Sequence, residues 1–437
     1  MRRSELDREI LRLAVPALGA LAAEPLPALA DTAIIGHLGT TQLAALALAA
    51  ALLSAIFSLC IFLTYGTTAQ VARLHGAGEE ERAGALAAQA LWLGLGIGVV
   101  LGAALAAFAP QAIGVLGGDG RVGDLAARYL RIAVLGVPAF MLILAGQGYL
   151  RGVGDLRRPL VILVAGNVAN VGLNVALVYG AGLGLDGSAI GTAIAQAGMG
   201  LAFVVLLLRA PAATRRPVWS LMAPLLRMGG DLVVRTAALI GSFLVASAVL
   251  ARIGTASLGA HQVAFQLFVF LALVLDAIAI AGQVLVGRML GAGDADGAHA
   301  AARRMIELSV IAGLILGAVL LALTDVIPRA FTSDDAVIER AHAVWPLFAL
   351  MQPFAAAVFA LDGILIGAGD TRYLAVSMLV AGFGFYVPIA LLALHFEWGI
   401  TGVWCGLLAL MAVRLATLGA RFRSRRWAVV GAPGARA

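Results

Sequence analysis

The chain has 437 residues, of which 62% are hydrophobic and only 12% charged, whereas a soluble globular protein is about 25% charged. The formal net charge is +6, and the sequence contains many arginines but no lysine. This composition excludes an ordinary water-soluble enzyme, and the missing lysine excludes a phosphate-loop site and a lysine Schiff base.

Apolar blocks of about 20 residues recur along the whole sequence, and each is long enough to cross a bilayer as a helix. The blocks are apolar on every side, which is typical of membrane helices and not of a barrel. The first six predicted helices span residues 10–36, 42–72, 84–109, 127–151, 159–180 and 187–209. The second six span residues 222–252, 257–290, 304–325, 338–367, 373–395 and 399–421. The sequence therefore predicts an all-α integral membrane protein with twelve transmembrane helices.

The positions of the arginines indicate how these helices are oriented in the membrane. They are concentrated in the loops on one side and in both terminal segments, and such loops face the cytoplasm. We therefore expect both termini to be cytoplasmic in a multi-pass protein of the cell (inner or plasma) membrane. The positive charge is a topology signal and does not indicate nucleic-acid binding.

The two halves of the sequence repeat each other with a constant difference in residue number. We call this difference the repeat offset; at this offset residue 73, for example, corresponds to residue 288. Residues 73–79 (RLHGAGE) align with 288–294 (RMLGAGD), and residues 148–157 align with 363–372 without a gap. Because six helices separate the copies, we expect two homologous six-helix lobes related by a pseudo-two-fold axis along the membrane normal. The predicted parts are an N-terminal lobe (1–209), a cytoplasmic linker (210–220), a C-terminal lobe (221–423) and a cytoplasmic tail (424–437).

The first predicted helix carries Glu24-Pro25-Leu26 and then Asp31-Thr32-Ala33-Ile34-Ile35-Gly36-His37-Leu38-Gly39. Together with the Gly-Ala-Gly-Glu/Asp loops and the Arg-Gly-Val-Gly-Asp loop at 151–155, these motifs resemble the multidrug and toxic compound extrusion (MATE) transporters along nearly the whole chain. The surroundings of Asp231, Asp276 and Asp362 resemble its DNA-damage-inducible (DinF) branch. The resemblance implies export of organic, often cationic, compounds or amphiphiles in exchange for protons or sodium, without a cofactor.

Polar residues inside apolar helices are costly and therefore mark candidate sites. Glu24 and Asp31 lie two turns apart on one face of the first helix, and Asn167, Asn170 and Asn174 form a stripe on the fifth. Because Asp31 and Asn174 both lie in the outer half of the membrane, we expect the two sets to meet in one cavity that binds the coupling cation and the substrate. Burial disfavours a charged carboxylate, so Asp31 is the predicted proton-binding group.

The second lobe offers further candidates, namely Asp276, Asp362, Asp231 and Arg235. The duplication does not copy the first-lobe acid, because Ala246 corresponds to Asp31 at the repeat offset. Two structural interpretations remain open. Asp231 and Arg235 could form an intrahelical ion pair, and Asp276 and Asp362 could hydrogen-bond neighbouring helices together.

Three prolines of the first helix, Pro16, Pro25 and Pro27, interrupt its backbone hydrogen bonds and offer a place to bend. The resulting hypothesis is that protonation of Asp31 from outside changes this bend and releases a bound cation outward.

Two other functions have distinct signatures. A flippase of a lipid-linked or amphiphilic substrate should have a cavity lined by arginines, but only Arg235 and Arg414 lie within predicted helices away from the helix ends. A membrane enzyme should carry a motif such as His-Glu-x-x-His or Gly-x-Ser-x-Gly, and neither occurs.

Cys60 and Cys405 have no partners at metal-ligand spacing, so we expect no metal site. We also expect the protein to be a monomer.

Overall fold

The computed structural model describes residues 3–432, and within them the backbone forms helices and turns without a β-strand. In this part of the chain, twelve helices are long and apolar enough to cross a membrane. The first six are α1 (Arg3–Gly36), α2 (Thr40–Gly76), α3 (Glu80–Ala107), α4 (Gly120–Gly152), α5 (Arg157–Gly180) and α6 (Gly184–Arg209). The second six are α7 (Trp219–Ile253), α8 (Thr255–Gly291), α9 (Ala295–Ala322), α10 (Asp335–Gly367), α11 (Thr371–His395) and α12 (Gly399–Arg423). The predicted all-α membrane fold is confirmed.

Several of these spans contain irregular turns, and two short helices lie between spans. The α1 span consists of the segments Arg3–Ala23 and Leu26–Gly36, and α2 consists of Thr40–Cys60 and Phe62–Gly76. A 3₁₀ turn at Val134–Gly136 lies within α4, and π-helical turns end α5 (Ala176–Gly180) and lie within α11 (Val380–Tyr386). The short helices are Ala109–Val115 and Ile327–Phe331.

Some helices begin earlier than the apolar blocks predict. The structure starts α3 at Glu80 instead of residue 84, and α9 at Ala295 instead of residue 304. Acidic residues occupy these first turns, for example Glu81 in α3 and Asp296 in α9. A carboxylate at a helix N-terminus interacts favourably with the unpaired N–H groups there, so the helices extend beyond the apolar region that identifies them.

The backbone itself repeats at the predicted offset. Left-handed glycines occur in four pairs at the repeat offset: Gly39 and Gly254 (φ 139° and 151°), Gly78 and Gly293 (74° and 83°), Gly154 and Gly369 (81° and 77°), and Gly184 and Gly399 (55° and 64°). Residues with a side chain rarely adopt such angles. The same turns therefore connect the same helices in both halves, as a gapless duplication requires.

Helix packing repeats in the same way. A Cβ atom at Gly148 of α4 would lie 2.9 Å from the carbonyl oxygen of Thr64, and one at Gly363 of α10 would lie 2.2 Å from that of Ala279. Thr64 and Ala279 themselves correspond at the repeat offset. In both halves, therefore, a glycine lets two backbones approach closely, as is common between membrane helices.

Contacts between the helices divide the chain into two units whose boundaries differ from those of the predicted lobes. The first unit is Gly19–Gly229, and the second unit contains the residues up to Leu18 together with those from Gly230 onward. The start of α1 joins the second unit because its acids bind the arginines there. Asp7 accepts hydrogen bonds of 2.6 and 2.9 Å from Arg304 of α9, and Glu9 pairs with Arg288 of α8.

The linker and the tail pack against the unit to which each belongs. Gln89 of α3 donates to the carbonyl of Arg216 at 3.0 Å and accepts from the N–H of Val218 at 2.8 Å, which ties the linker to the first unit. Trp427 of the tail is 1% exposed, and the N–H of Gly431 donates to the carbonyl of Leu290 at 2.9 Å. The last part of the predicted tail, residues 433–437, lies outside the described residues.

Candidate functional site

Helix α1 is interrupted between its two segments. The first segment ends at Ala23, and Glu24 and Pro25 form a turn before Leu26 starts the second. Pro16, in contrast, lies inside the continuous first segment. Of the three prolines predicted to offer a bend, Pro16 therefore does not interrupt the helix, and the discontinuity lies at Pro25.

The interruption leaves one buried carbonyl without its usual helical donor. In a continuous helix the carbonyl of Ala23 accepts from the N–H of residue 27, but Pro27 has no N–H. Ala23 is 3% exposed, so water does not readily replace that donor. The side-chain amide of Asn167 on α5 donates to this carbonyl instead, at 2.8 Å.

The second segment of α1 carries Asp31, which is only 7% exposed. The side-chain amide of Asn174 on α5 donates to the Asp31 carboxylate and also lies 3.4 Å from the side-chain oxygen of Asn170. Asn170 in turn donates to the hydroxyl of Thr192 on α6 at 3.1 Å. The structure thus brings together Asp31, Asn170 and Asn174, as predicted, whereas Asn167 of the same stripe binds backbone.

A glycine of α6 makes room for this arrangement. A Cβ atom at Gly191 would lie 2.0 Å from the side-chain oxygen of Asn174, which is too close for any side chain. Further along α5, the hydroxyl of Tyr179 donates to the carbonyl of Ile34 of α1 at 2.6 Å. Asn174 is therefore positioned by close packing from α6 and by a second tie between α5 and α1.

Asp31, Asn167, Asn170 and Thr192 line a cavity of about 640 Å³ within the first unit, whereas Asn174 contacts Asp31 without being part of the lining. Its polar lining residues are Glu24, Asp31, Thr32, Ser54, Ser58, Tyr129, Gln147, Asn167, Asn170, Thr192 and Gln196. The remaining wall is mostly apolar and includes Phe57 and Phe140, whose rings stack with centroids 3.9 Å apart. The lining includes two carboxylates, those of Glu24 and Asp31, and no arginine, lysine or histidine. A cavity of this size accommodates a drug-sized molecule.

Sequence reasoning missed the contribution of α4 and α6 to this cavity. Thr192 and Gln196 stand one turn apart on α6, and Tyr129 and Gln147 lie on α4. Their polarity inside apolar blocks, and the one-turn spacing on α6, were signals of the kind that identified the asparagine stripe.

A family model described as MatE matches residues 16–176 and again residues 232–392. The chain belongs to the MatE family. The starts of the two matches agree with the repeat offset to within a single position, so each match covers one copy of the duplication.

Curated relatives of this MatE chain cover almost its whole length. It is 30% identical to the DNA damage-inducible protein F of Escherichia coli, over 96% of the chain and 93% of that protein. It is 29% identical to Protein DETOXIFICATION 44, chloroplastic, of Arabidopsis thaliana, over 94% of the chain and 81% of that protein. A crystal structure of MATE in the bent conformation shares its fold, with a TM-score of 0.88 at 21% identity over 97% of each chain. The predicted membership of the MATE transporters and the likeness to the DinF branch are confirmed.

The second lobe of this MatE transporter places its candidate residues in a different kind of contact. Asp362 of α10 accepts from Arg235 of α7 at 2.6 Å and from Arg414 of α12 at 2.5 and 2.6 Å. The hydroxyl of Thr371 donates to Asp231 at 2.9 Å. Asp362 thus ties three helices together, which agrees with its structural interpretation, and Arg235 forms an ion pair with Asp362.

The fourth second-lobe candidate, Asp276, is partly buried on α8. It does not line the first-unit cavity.

The first-lobe site has no chemical copy in the second lobe. At the repeat offset, Asp31, Asn170, Asn174 and Thr192 correspond to Ala246, Phe385, Ile389 and Leu407. None of these second-lobe side chains can donate or accept a hydrogen bond, and Ala246 and Leu407 are at most 1% exposed. The MatE frame is therefore duplicated, whereas the buried acid with its amide partners is found in one lobe.

Proposed function

We propose that this protein is a secondary active multidrug exporter that moves organic, often cationic, compounds out of the cytoplasm in exchange for a cation, by alternating access. It acts as a monomer in the cell (inner or plasma) membrane, with both termini in the cytoplasm. The observation that carries the proposal is the first-unit cavity, which combines an apolar wall with two carboxylates and no basic side chain. A hydrophobic organic cation fits this cavity, because its apolar body contacts the wall and its positive charge is balanced by a carboxylate.

A proton fits the coupling site better than a sodium ion. Sodium would require several oxygen ligands directed at one point, but the amide of Asn174 turns its N–H group toward Asp31. A carboxylate needs no other ligand to take up a proton, so we propose Asp31 as the proton carrier.

Protonation would act on α1 through its contact with α5. Neutralising Asp31 removes the charge that strengthens its hydrogen bond with Asn174, so the second segment of α1 would be held less firmly. Because that segment begins at the Glu24–Pro25 interruption, it could then move relative to the first segment and alter the cavity that it lines. Binding of the proton and of the substrate would thus exclude one another, as antiport requires.

The proposal is tested by uptake of a fluorescent organic cation into everted vesicles under an imposed proton gradient and, separately, an imposed sodium gradient. We expect uptake under the proton gradient, its loss in Asp31→Asn, and parental uptake in Asp119→Asn, which removes an exposed acid of the same unit. Equal transport by Asp31→Asn and the parent at every pH would rule out this site. Uptake driven only by sodium would reassign the coupling ion.

The flippase alternative has less support. A headgroup that carries phosphate calls for arginine or lysine in the cavity, and the first-unit cavity has neither. Absence of dye uptake under both gradients, together with scrambling of a fluorescent phospholipid in proteoliposomes, would favour the flippase.

A further inference from the structure

Helix α5 holds α1 on both sides of its interruption. Before the break, Asn167 donates to the carbonyl of Ala23 at 2.8 Å. After the break, Asn174 donates to Asp31. The two asparagines lie two turns apart on one helical face, but their partners differ. Asn174 binds an ionisable side chain, whose charge can change, and Asn167 binds a carbonyl, whose charge cannot.

The duplication provides an internal comparison for the first of these contacts. The second-lobe equivalents of Ala23, Pro27 and Asn167 are Ala238, Ser242 and Gly382. There α7 is continuous, and the hydroxyl of Ser242 additionally donates to the carbonyl of Ala238 at 2.8 Å. A Cβ atom at Gly382 would lie only 2.4 Å from that hydroxyl oxygen. Where the helix keeps its own donor, the neighbouring helix has a glycine, and where proline removes the donor, the neighbour supplies an amide.

We propose that Asn167 is a positioning residue that replaces the missing N–H of Pro27 and fixes the pivot of α1. Its side chain stabilises the backbone at the interruption, and it is not a ligand of the substrate or the coupling cation. This inference rests on the proposed function, in which the segment after the break moves when Asp31 is protonated. Because the Asn167 contact does not depend on protonation, the inner side of the break stays attached to α5 while the outer segment is released.

Hydrogen–deuterium exchange of the full-length protein in lipid nanodiscs tests this role without any ion gradient. Loss of the donor in Asn167→Ala should raise amide exchange in residues 21–30 by about tenfold, as expected when a buried carbonyl loses its hydrogen bond. Asn167→Ala should also lose dye transport, because the pivot of α1 is no longer fixed. Adding Pro27→Ala restores a backbone N–H that can reach Ala23, so the double variant should return toward parental exchange and regain that transport. A residue with only a packing role would not be rescued in this way.

The matched control is Ser242→Ala. It removes the side-chain donor at the equivalent carbonyl, but the α7 backbone keeps its own, so exchange in residues 236–246 should not change.

Parental exchange in Asn167→Ala would overturn the proposal, as would a double variant no better than the single one. Either result could occur while Asp31→Asn still abolishes transport, which would leave the proposed function standing. Conversely, altered exchange with rescue by Pro27→Ala, in a protein that transports no dye under either gradient, would refute only the proposed function.

Discussion

The amide at position 174 suits both protonation states of Asp31. Its nitrogen donates to the carboxylate, and its side-chain oxygen, which is buried, has no hydrogen-bond partner in the described structure. A protonated carboxyl group is itself a donor and needs an acceptor. A half-turn of the amide would present that oxygen to the acid, so Asn174 can also contact the neutral form. That hydrogen bond is weaker than the one donated to the charged carboxylate, in keeping with the looser hold on α1 proposed for the protonated state.

Gly191 gives a way to disturb this contact without removing a polar group. In Gly191→Ala the new Cβ would lie 2.0 Å from the Asn174 side-chain oxygen, so the amide must move away from Asp31. Losing a hydrogen bond to a charged group costs about 1.5–3 kcal/mol, so we expect proton-driven dye transport to fall by roughly tenfold to a hundredfold. Gly198→Ala on the same helix is the control, because nothing lies within 4 Å of its new Cβ. Similar transport by the two variants would contradict the role given to Asn174.

The buried carboxylates of the two lobes have different partners. Asp31 of the first lobe contacts an asparagine, whereas Asp362 of the second lobe contacts two arginines. Asp362, with a side chain 5% exposed, is bound by Arg235 and Arg414, which are 14% and 3% exposed. Two guanidinium groups stabilise the ionised carboxylate, so Asp362 is suited to hold helices and not to exchange protons. The first-lobe equivalents of the three residues are Gln147, Ala20 and Met199, which shows that the same helix crossing can be built without charges.

This equivalence predicts a pattern of stabilities. Asp362→Gln alone leaves the buried Arg414 and the partly buried Arg235 without their carboxylate. It should cost about 3–5 kcal/mol, seen as a clear drop in the thermal unfolding midpoint of the purified protein. The triple variant Asp362→Gln, Arg235→Ala, Arg414→Met copies the first lobe and should recover most of that loss, because buried ionic networks can often be replaced by apolar residues. A triple variant less stable than Asp362→Gln would show that the network has a role beyond joining helices.

The sequence predicts elements well where one pattern decides them. Apolar length locates the twelve helices, and the two-turn spacing of Glu24 and Asp31 places both acids on one face of α1 in a cavity. The partner of Arg235 could not be predicted in the same way, because Asp231 at one turn and Asp362 on another helix are equally plausible until the packing of α7 against α10 is known. Likewise, the residues next to Asn167 in the sequence do not indicate that its amide binds the carbonyl of Ala23, which lacks its helical donor because residue 27 is a proline.

At the scale of the whole molecule, a symmetric frame supports an asymmetric chemistry. Backbone turns recur at the repeat offset in both halves, so the two lobes keep the geometry of a common ancestor. The buried acid with an amide partner is found in the first lobe, and the second lobe has Ala246 at the equivalent position. Duplication thus preserved the backbone turns and close helix contacts while the buried polar residues diverged.

This asymmetry predicts the stoichiometry of transport. If Asp31 is the exchanging carboxylate and Asp362 stays ionised between its two arginines, one proton enters for each monovalent organic cation that leaves. The exchange then moves no net charge, and its rate in proteoliposomes at a fixed pH gradient should not change when a potassium diffusion potential is imposed with valinomycin. A rate that rises with an inside-negative potential, measured with the transporter oriented to export, would mean that more than one proton enters per cation and that a second acid, such as Glu24 of the same cavity or Asp276 of the second lobe, also exchanges. The Asp31→Asn variant distinguishes these cases, because potential-dependent transport that survives in it must use another acid.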